Sequence, residues 1–338
     1  MGLKAIGELI RKKELSLILK TSGLFTSFYR LSYIASLINN GFLDILAEKP
    51  VPFDELAQKV GVDKEHFSAL EAWLGAGMRL KEIGLEQDGY TLKGISAQLA
   101  RAGNDSYLAI VQEVTSLHHQ LILETPQKLR NGERWTLDDQ DGEIIARSSR
   151  ILEPFQREAI DATFPTTKPL TLLEVGCGSG VYLKYATERN PQLSAIGVEL
   201  QSSVAEMARR NIAGWDLQER VKIESGDIRG KTFDHPFDIV TLYNNIYYFP
   251  VSERVALLTH LRTYLKPGGF LLLTTGCQGK SQATMEILNL WGATTQGCDR
   301  LPRVEEMVEQ MEAAGFVNVK AKNLLPGDSF YKFVGYNS

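Results

Sequence analysis

One glycine-rich stretch, LLEVGCGSGVYL at residues 172–183, constrains the fold more than any other part of the sequence. An apolar run ends at Glu174-Val175, glycines follow at alternate positions, and a helical pattern begins directly after them. Glycine suits such a loop because it adopts backbone conformations that other residues avoid and lets a ligand approach the main chain. The stretch therefore predicts a buried strand, a ligand-binding turn and a helix.

The C-terminal half of the chain continues this alternation of strand and helix. The apolar segments LSAIGVEL, RVKIESGD, FDIVTLYN and GFLLLTT are separated by segments with helical spacing. Near-continuous apolar strands that alternate with helices predict a parallel sheet with helices on both faces. The last segment, FVNVKAKNLLPGDSFYKFVGY, predicts two strands joined by PGDS, so we expect the sheet to finish with an antiparallel pair.

The N-terminal part of the chain has a mainly helical pattern that contains one hairpin. Apolar residues recur at helical spacing, and the turn dipeptide Asp88-Gly89 separates two short strand-like runs. Three helices followed by a hairpin is the order of a winged-helix domain. We predict a winged-helix-like domain over residues 1–104, connecting helices that cover the substrate pocket over 105–164, and an α/β domain over 165–338.

Composition and charge exclude several classes of protein. The chain has 338 residues and a net charge of −4, which disfavours nucleic acid or an acidic membrane as a partner. It contains no apolar run long enough to span a bilayer, and its N-terminus lacks the apolar core of a signal peptide. The widely spaced Cys177, Cys277 and Cys298 form no CxxC pair, so we expect a cytoplasmic protein without a disulfide framework or a metal site.

Two further acidic positions follow predicted strands. Glu199 ends the second strand of the α/β domain and lies 19 residues after Gly180, near the spacing typical of a carboxylate that binds ribose hydroxyls. Gly226-Asp227 closes the third strand. Ligands of open parallel sheets bind beyond the carboxyl ends of the strands, where these groups are predicted to lie.

These motifs, in this order, resemble those of the class I S-adenosylmethionine-dependent methyltransferases. The resemblance covers residues 165–336 and includes the Glu-x-Gly-x-Gly-x-Gly loop, the acids described above and LKPGGFLLLTT before the fifth strand. Residues 30–100 resemble, more loosely, the winged-helix dimerisation domain of small-molecule O-methyltransferases. The resemblance implies a Rossmann-like fold, S-adenosyl-L-methionine as cofactor, a small-molecule substrate and a homodimer formed through the N-terminal domain. A nicotinamide dehydrogenase is the competing interpretation, which the acid before the glycines and the KPGG sequence disfavour.

The resemblance also implies roles for individual residues. Glu174 would hold the loop and the cofactor amine, Glu199 would accept both ribose hydroxyls, and Asp227 would accept from the adenine amino group. The expected cofactor-binding residues are Glu174, Gly176, Gly178, Gly180, Glu199, Leu200, Gly226, Asp227, Ile228 and Tyr243.

The stretch YNNIYYFP, residues 243–250, departs from the pattern of that family. A histidine follows the fourth strand in the O-methyltransferases and acts as general base, whereas this stretch has no histidine, cysteine or acid. A base is needed only if the nucleophile must lose a proton, as a phenol or alcohol must. We therefore expect methyl transfer by in-line displacement to a sulfur or activated-carbon nucleophile, with Tyr243, Asn244 and Tyr247 as candidate catalytic residues.

Two other interpretations stay open. His118 or His119 could supply the base of an O-methyltransferase, although adjacent residues of a helix cannot face the same way. A winged-helix regulator could bind the cofactor without catalysis, but its DNA-reading helix should be basic, and DKEHFSALEAWLGAG is acidic. The glycine-rich segment after the fifth strand, residues 274–302, is a candidate substrate-side lid or a plain connecting helix.

Overall fold

The computed structural model describes residues 2–101, 103–279, 283–327 and 329–338, with side chains from residue 6 onward. The chain divides into two compact units, Met1–Ser116 and Leu117–Ser338. The division into winged-helix, connecting and cofactor-binding parts concerns their roles and stays a prediction. Within the described ranges, no helix is long and apolar enough to cross a membrane.

The first unit is helical apart from one hairpin. Its core is formed by apolar side chains such as Leu37, Leu56 and Leu74, which are fully buried. A short 3₁₀ turn at Lys64–His66 precedes the fifth helix. The helices are α1 (Gly2–Arg11), α2 (Glu14–Asn39), α3 (Phe42–Ile45), α4 (Phe53–Lys59), α5 (Phe67–Arg79), α6 (Gly94–Leu99) and α7 (Asp105–Glu113).

The predicted hairpin is present, but its turn lies one residue earlier than Asp88-Gly89. Strand β1 (Ile83–Glu86) pairs with β2 (Gly89–Leu92) so that Gln87 and Asp88 form the turn, with φ of 48° and 64°. Positive φ at both positions is the requirement of a type I′ turn. Gly89 serves a different purpose, because a Cβ there would lie 2.8 Å from the Val51 nitrogen.

The second unit contains a seven-stranded sheet in the order β5-β4-β3-β6-β7-β9-β8. Neighbouring strands from β5 to β7 are parallel, whereas β9 is antiparallel to both β7 and β8. The predicted α/β sheet with a terminal antiparallel pair is therefore confirmed. Asp328 of the predicted PGDS connection lies outside the described residues. The strands are β3 (Leu170–Val175), β4 (Leu193–Glu199), β5 (Val221–Ser225), β6 (Phe237–Tyr243), β7 (Leu265–Gly276), β8 (Val317–Asn323) and β9 (Phe330–Tyr336).

Helices cover both faces of this sheet, as the near-continuous apolar strands predict. One buried apolar cluster packs against α10, α11 and α12, and a second packs against α13 and α15. A π-helical turn, Val114–His118, leads into α8. The helices are α8 (His119–Asn131), α9 (Gly142–Ser148), α10 (Glu153–Asp161), α11 (Val181–Arg189), α12 (Ser202–Gly214), α13 (Val251–Thr263), α14 (Ala283–Thr294) and α15 (Val304–Ala313).

The candidate lid segment contains α14 and an irregular stretch that follows it. Residues 280–282 of that segment lie outside the described residues. Trp135 forms an isolated parallel bridge with Thr295, and the Gln296 N–H donates to the Trp135 carbonyl at 2.7 Å. The stretch after α14 is thus held by main-chain hydrogen bonds on one side.

Candidate active site

The glycine loop between β3 and α11 has the backbone conformation that its sequence predicts. Gly176, Gly178 and Gly180 have φ of 66°, 53° and 79°, which residues with side chains rarely adopt. At Gly176 space is limiting as well, because a Cβ would lie 2.3 Å from Nδ2 of Asn245. The loop therefore depends on glycine both for its conformation and for the close approach of a neighbouring side chain.

Glu199 lies at the carboxyl end of β4, beside the glycine loop. One carboxylate oxygen accepts from the Gly178 N–H at 3.0 Å, and the other accepts from the Gln201 N–H at 3.1 Å. Burial raises the pKa of Glu199, and these backbone hydrogen bonds oppose that rise. The contacts fix the carboxylate in one orientation and leave lone pairs available for a ligand that donates hydrogen bonds.

Asp227 follows β5 and is held by an arginine that sequence reasoning missed. Its Oδ1 accepts from the Arg229 N–H at 2.9 Å, and its Oδ2 pairs with the Arg229 guanidinium at 2.6 Å. These hydrogen bonds lower the pKa of Asp227. Arg229 also pairs with Glu253 at 3.0 Å, so it joins the start of α13 to this edge of the sheet.

Glu174 lies in β3 and is almost completely buried, with 1% of its surface exposed. Neither of its carboxylate oxygens has a hydrogen-bond partner among the described residues. Burial, and then the nearby Glu199 carboxylate, raises the pKa of Glu174 well above its usual range. A buried carboxylate without a partner is costly, so this position suits a ligand group that donates hydrogen bonds.

A cavity of about 250 Å³ joins the ends of these strands. Most of the predicted site residues line it, whereas Glu174, Gly180, His118 and His119 do not. One wall is formed by α9 and the residues before it, within the segment 105–164 that was predicted to cover the pocket, and another by residues 296–298, within the candidate lid; the individual lining residues of both walls were not predicted. The predicted residues that line the cavity are Gly176, Gly178, Glu199, Leu200, Gly226, Asp227, Ile228, Tyr243, Asn244 and Tyr247.

The approach of α9 to the glycine loop is seen in its contacts. A Cβ at Gly142 would lie 1.7 Å from Oε1 of Gln201, and Ala146 Cβ lies 3.9 Å from the Cβ position of Gly178. These small residues let α9 approach the glycine loop and the start of α12. The single signal in the sequence is the helix start at Asp141, whose side chain accepts from the Glu143 and Ile144 N–H groups.

The YNNIYYFP stretch enters the cavity as β6 ends. Asn244 has a φ of 53°, and a 3₁₀ turn, Ile246–Tyr248, follows it. The rings of Tyr247 and Tyr248 lie 5.9 and 5.0 Å from that of Trp291. Tyr243 packs edge-to-face against Tyr182 at 5.4 Å, and burial raises the pKa of the Tyr243 phenol well above its usual range. This side of the cavity is therefore aromatic.

Neither of the two candidate histidines lines this cavity. His118 ends the π-helical turn and is half-buried, whereas His119 begins α8 and is exposed. Among the described residues that line the cavity there is no histidine. Whether either histidine acts as a base stays a prediction.

Comparison with known proteins places this geometry in a family. A family model described as a methyltransferase domain matches residues 121–321. Demethylspheroidene O-methyltransferase of Rhodobacter capsulatus is 22% identical over 322 residues, which cover 89% of this chain and 78% of that protein. Cypemycin N-terminal methyltransferase of a Streptomyces species is 32% identical over 105 residues, which cover 30% of this chain and 40% of that protein. The chain thus aligns with less than half the length of the latter relative.

Solved structures share the fold over nearly the whole chain. The mitomycin 7-O-methyltransferase MmcR has a TM-score of 0.78 at 16% identity, with 97% of this chain and 99% of that chain covered. Human N-acetylserotonin methyltransferase, in complex with S-adenosylmethionine, has a TM-score of 0.74 at 14% identity, with 96% and 98% covered. At these identities the likeness concerns the fold alone.

The fold and the loop at the strand ends define a class I S-adenosylmethionine-dependent methyltransferase, and this prediction is confirmed. The chain belongs to the methyltransferase domain family, and its cofactor is S-adenosyl-L-methionine. Its residues fit that cofactor, because the unpaired oxygens of Glu174 and the oriented carboxylate of Glu199 suit a ligand that carries an ammonium group and ribose hydroxyls.

Proposed function

We propose that this chain transfers the methyl group of S-adenosyl-L-methionine to a small-molecule acceptor. One observation carries the proposal: three carboxylates lie at or just beyond the ends of adjacent strands β3, β4 and β5, around the glycine loop. Glu199 accepts hydrogen bonds from the ribose hydroxyls, Asp227 from the adenine amino group, and Glu174 from the cofactor ammonium. When bound, the cofactor supplies an electrophilic methyl carbon for in-line displacement.

The chain's own groups then position the acceptor and exclude water. Tyr243, Asn244 and Tyr247 line the cavity where the carboxyl end of β6 meets the glycine loop. The Tyr247 carbonyl accepts from the Asp299 N–H at 3.0 Å, which fixes this turn against the stretch after α14. Aromatic rings beside the methyl donor stabilise its sulfonium charge through cation–π attraction.

The composition of the cavity supports a nucleophile that needs no general base. Its charged lining residues, among those that the structure describes, are Glu199, Asp227 and Arg229, which lie at the ends of β4 and β5. A phenol or alcohol must lose a proton at neutral pH, whereas a thiol is already partly ionised and a thioether carries none. We therefore favour a sulfur or activated-carbon acceptor.

A small-molecule O-methyltransferase is the second candidate function. Demethylspheroidene O-methyltransferase and the mitomycin 7-O-methyltransferase MmcR are named for oxygen acceptors, which favours an oxygen acceptor here. In that case His118 or His119 would have to reach the acceptor. Replacement of the histidine that acts as base by alanine would then reduce phenol methylation, whereas replacement of the other would not. A cofactor-binding regulator is the third candidate, and a salt-sensitive gel shift with genomic DNA would support it.

The first test is methyl transfer from labelled S-adenosylmethionine to small thiols, thioethers, phenols and activated carbon acids. We expect sulfur or carbon compounds to react, and Glu199→Gln to weaken cofactor binding about 10- to 100-fold, because hydrogen bonds to a charged group are lost. Glu206→Gln on α12 is the matched control, since Glu206 is exposed and pairs with Arg209 of the same helix at 3.0 Å. Phenols as the best acceptors would contradict the choice of nucleophile, and unchanged binding in Glu199→Gln would contradict the site.

We also propose that a second copy of the chain covers one face of α2. Leu17, Leu24 and Phe28 recur at helical spacing, and each is more than half exposed. A contiguous apolar stripe on a surface helix marks an interaction site. A homodimer through the N-terminal unit would bury it.

A further inference from the structure

Asn245 lies between the end of β6 and the start of the glycine loop, and it contacts both sides of the cavity. It follows Asn244, whose N–H donates to the Thr274 carbonyl at 2.8 Å and keeps the chain next to β7. Because β6 pairs with β3, with Leu242 opposite Val175, the next residues of the chain come to lie beside the start of the glycine loop. Asn245 then lines the cavity directly before the turn that carries Tyr247.

The orientation of the Asn245 amide is fixed by its contacts. Its Nδ2 donates to the Val175 carbonyl, and only the NH₂ end of an amide can donate to a carbonyl. The same nitrogen fills the space in which a Cβ of Gly176 would lie. The Oδ1 atom must therefore point away from Val175, and it is buried without a hydrogen-bond partner in the described part of the chain.

Among the buried groups around the glycine loop that lack a partner in the described ranges, the Glu174 and Asn245 oxygens can only accept hydrogen bonds, whereas the Tyr182 and Tyr243 hydroxyls can also donate. The Gly176 and Cys177 N–H groups both donate to the Val198 carbonyl, at 2.8 and 3.1 Å, and the Gly178 N–H donates to Glu199. The oxygens of Glu174 remain, together with Oδ1 of Asn245, without donors among the residues described. A ligand group placed here must supply several N–H donors, and a primary ammonium supplies three.

We propose that Asn245 is a cofactor-positioning residue whose Oδ1 accepts a hydrogen bond from the ammonium group of the methionine part of S-adenosylmethionine. This inference rests on the proposed function and adds to it a residue of this chain. Since Nδ2 of the same amide holds Val175, Asn245 links the ammonium to the glycine loop and to the turn of Tyr247. It thereby sets the direction of the methyl group relative to the acceptor.

The experiment compares ligands that differ in this ammonium. S-adenosylhomocysteine carries it, decarboxylated S-adenosylmethionine retains it without the carboxylate, and 5′-methylthioadenosine lacks both groups. We expect Asn245→Ala to weaken binding of the first two about 10- to 100-fold by calorimetry, and to change 5′-methylthioadenosine binding less than about threefold.

Asn211→Ala is the matched control. Asn211 Nδ2 donates to the Ser179 carbonyl at 2.9 Å, so it also holds the glycine loop, but Asn211 does not line the cavity. Its loss should weaken all three ligands by a similar factor. The same uniform loss in Asn245→Ala would overturn the proposal and leave Asn245 as loop support only, and so would unchanged binding of all three ligands.

Two further measurements distinguish a failure of this inference from a failure of the proposed function. Asn245→Ser, a second variant that retains a small polar side chain, is measured in the same way, and only variants with a cooperative thermal transition are compared. Binding of S-adenosylhomocysteine to the unmodified protein tests the cofactor site itself. If that binding is strong and the loss in Asn245→Ser does not depend on the ammonium, the positioning role fails while the methyltransferase function stands.

Discussion

At the scale of single residues, the buried Glu174 carboxylate lowers the stability of the ligand-free protein but favours binding of the cofactor ammonium. Its carboxylate is buried without a hydrogen-bond partner in the described ranges, and burial raises its pKa well above the usual range. A carboxyl group whose pKa is raised on folding favours the fold at low pH, and that contribution is lost as the pH rises through the folded pKa. The cofactor ammonium would relieve this cost when it binds.

Glu174→Gln should therefore stabilise the ligand-free protein and weaken cofactor binding. Where Glu174 is ionised, removal of its charge should raise the free energy of unfolding by about 1–3 kcal/mol, which corresponds to about 2–4 °C per kcal/mol in melting temperature. The difference from the unmodified protein should shrink between pH 8 and pH 5, because the raised pKa of Glu174 favours protonation of its carboxylate as the pH falls. Thermal melts across that pH range, with and without S-adenosylhomocysteine, measure both effects. A lower melting temperature at pH 8 without ligand would contradict the argument.

Prediction from sequence succeeds for residues whose role depends on the backbone. The glycines of the loop and Glu199 at the end of β4 could be located because a tight turn and a strand end leave a pattern along the chain. The pairing of Arg229 with the start of α13 and the contact of Asn245 with the glycine loop could not be predicted. Their partners include Glu253 and Val175, which are distant in sequence, and a single sequence records no such pairing.

At the scale of elements, one buried arginine joins the turn after β6 to the stretch after α14. Arg254 in α13 is fully buried, its Nε donates to the Phe249 carbonyl at 3.1 Å, and its Nη2 donates to the Arg300 carbonyl at 2.6 Å. Burial lowers the pKa of Arg254 to about 10. The Val251 N–H adds a bond to Asp299 at 3.1 Å. Helix α13 therefore supports the aromatic wall of the cavity through hydrogen bonds made outside the cavity.

Arg254→Met should loosen this wall without removing a cavity residue. The Phe249 and Arg300 carbonyls would lose these donors, which we expect to lower the free energy of unfolding by about 1–3 kcal/mol. Turnover of the acceptor should fall more than affinity for the cofactor, because the lost hydrogen bonds support the segment that contains Phe249 and not the glycine loop. Urea denaturation and calorimetry with S-adenosylhomocysteine measure the two effects. Arg210→Met, at an exposed arginine of α12, is the control, and equal losses in both variants would refute the role of Arg254.

The hairpin of the first unit shows how far local rules extend at this scale. The two strands and their order could be predicted, but the turn is Gln87-Asp88 and not Asp88-Gly89. Asp-Gly is a strong turn signal, yet Gly89 is required where β2 passes close to Val51. A contact between segments distant in sequence therefore decided which residue pair forms the turn.

At the scale of the whole molecule, the sheet topology is the feature most completely predicted from sequence. Alternating strands and helices, followed by two consecutive strands, allow a parallel sheet with an antiparallel end and few alternatives. Assembly is a different problem, because a stripe of apolar side chains does not identify what covers it. Whether a second copy of the chain covers the exposed face of α2 is therefore decided by measuring the mass of the protein in solution.

We expect the protein to be a dimer in solution and the double variant Leu24→Glu with Phe28→Glu to be a monomer. Both side chains are more than half exposed on α2, so the substitutions should leave the fold of the unit intact. A carboxylate facing its copy across an apolar interface must be desolvated, which costs more than the interface returns. Light scattering coupled to gel filtration measures the mass. Leu123→Glu, at an equally exposed leucine of α8, should remain dimeric, and a monomeric unmodified protein at micromolar concentration would rule out this interface.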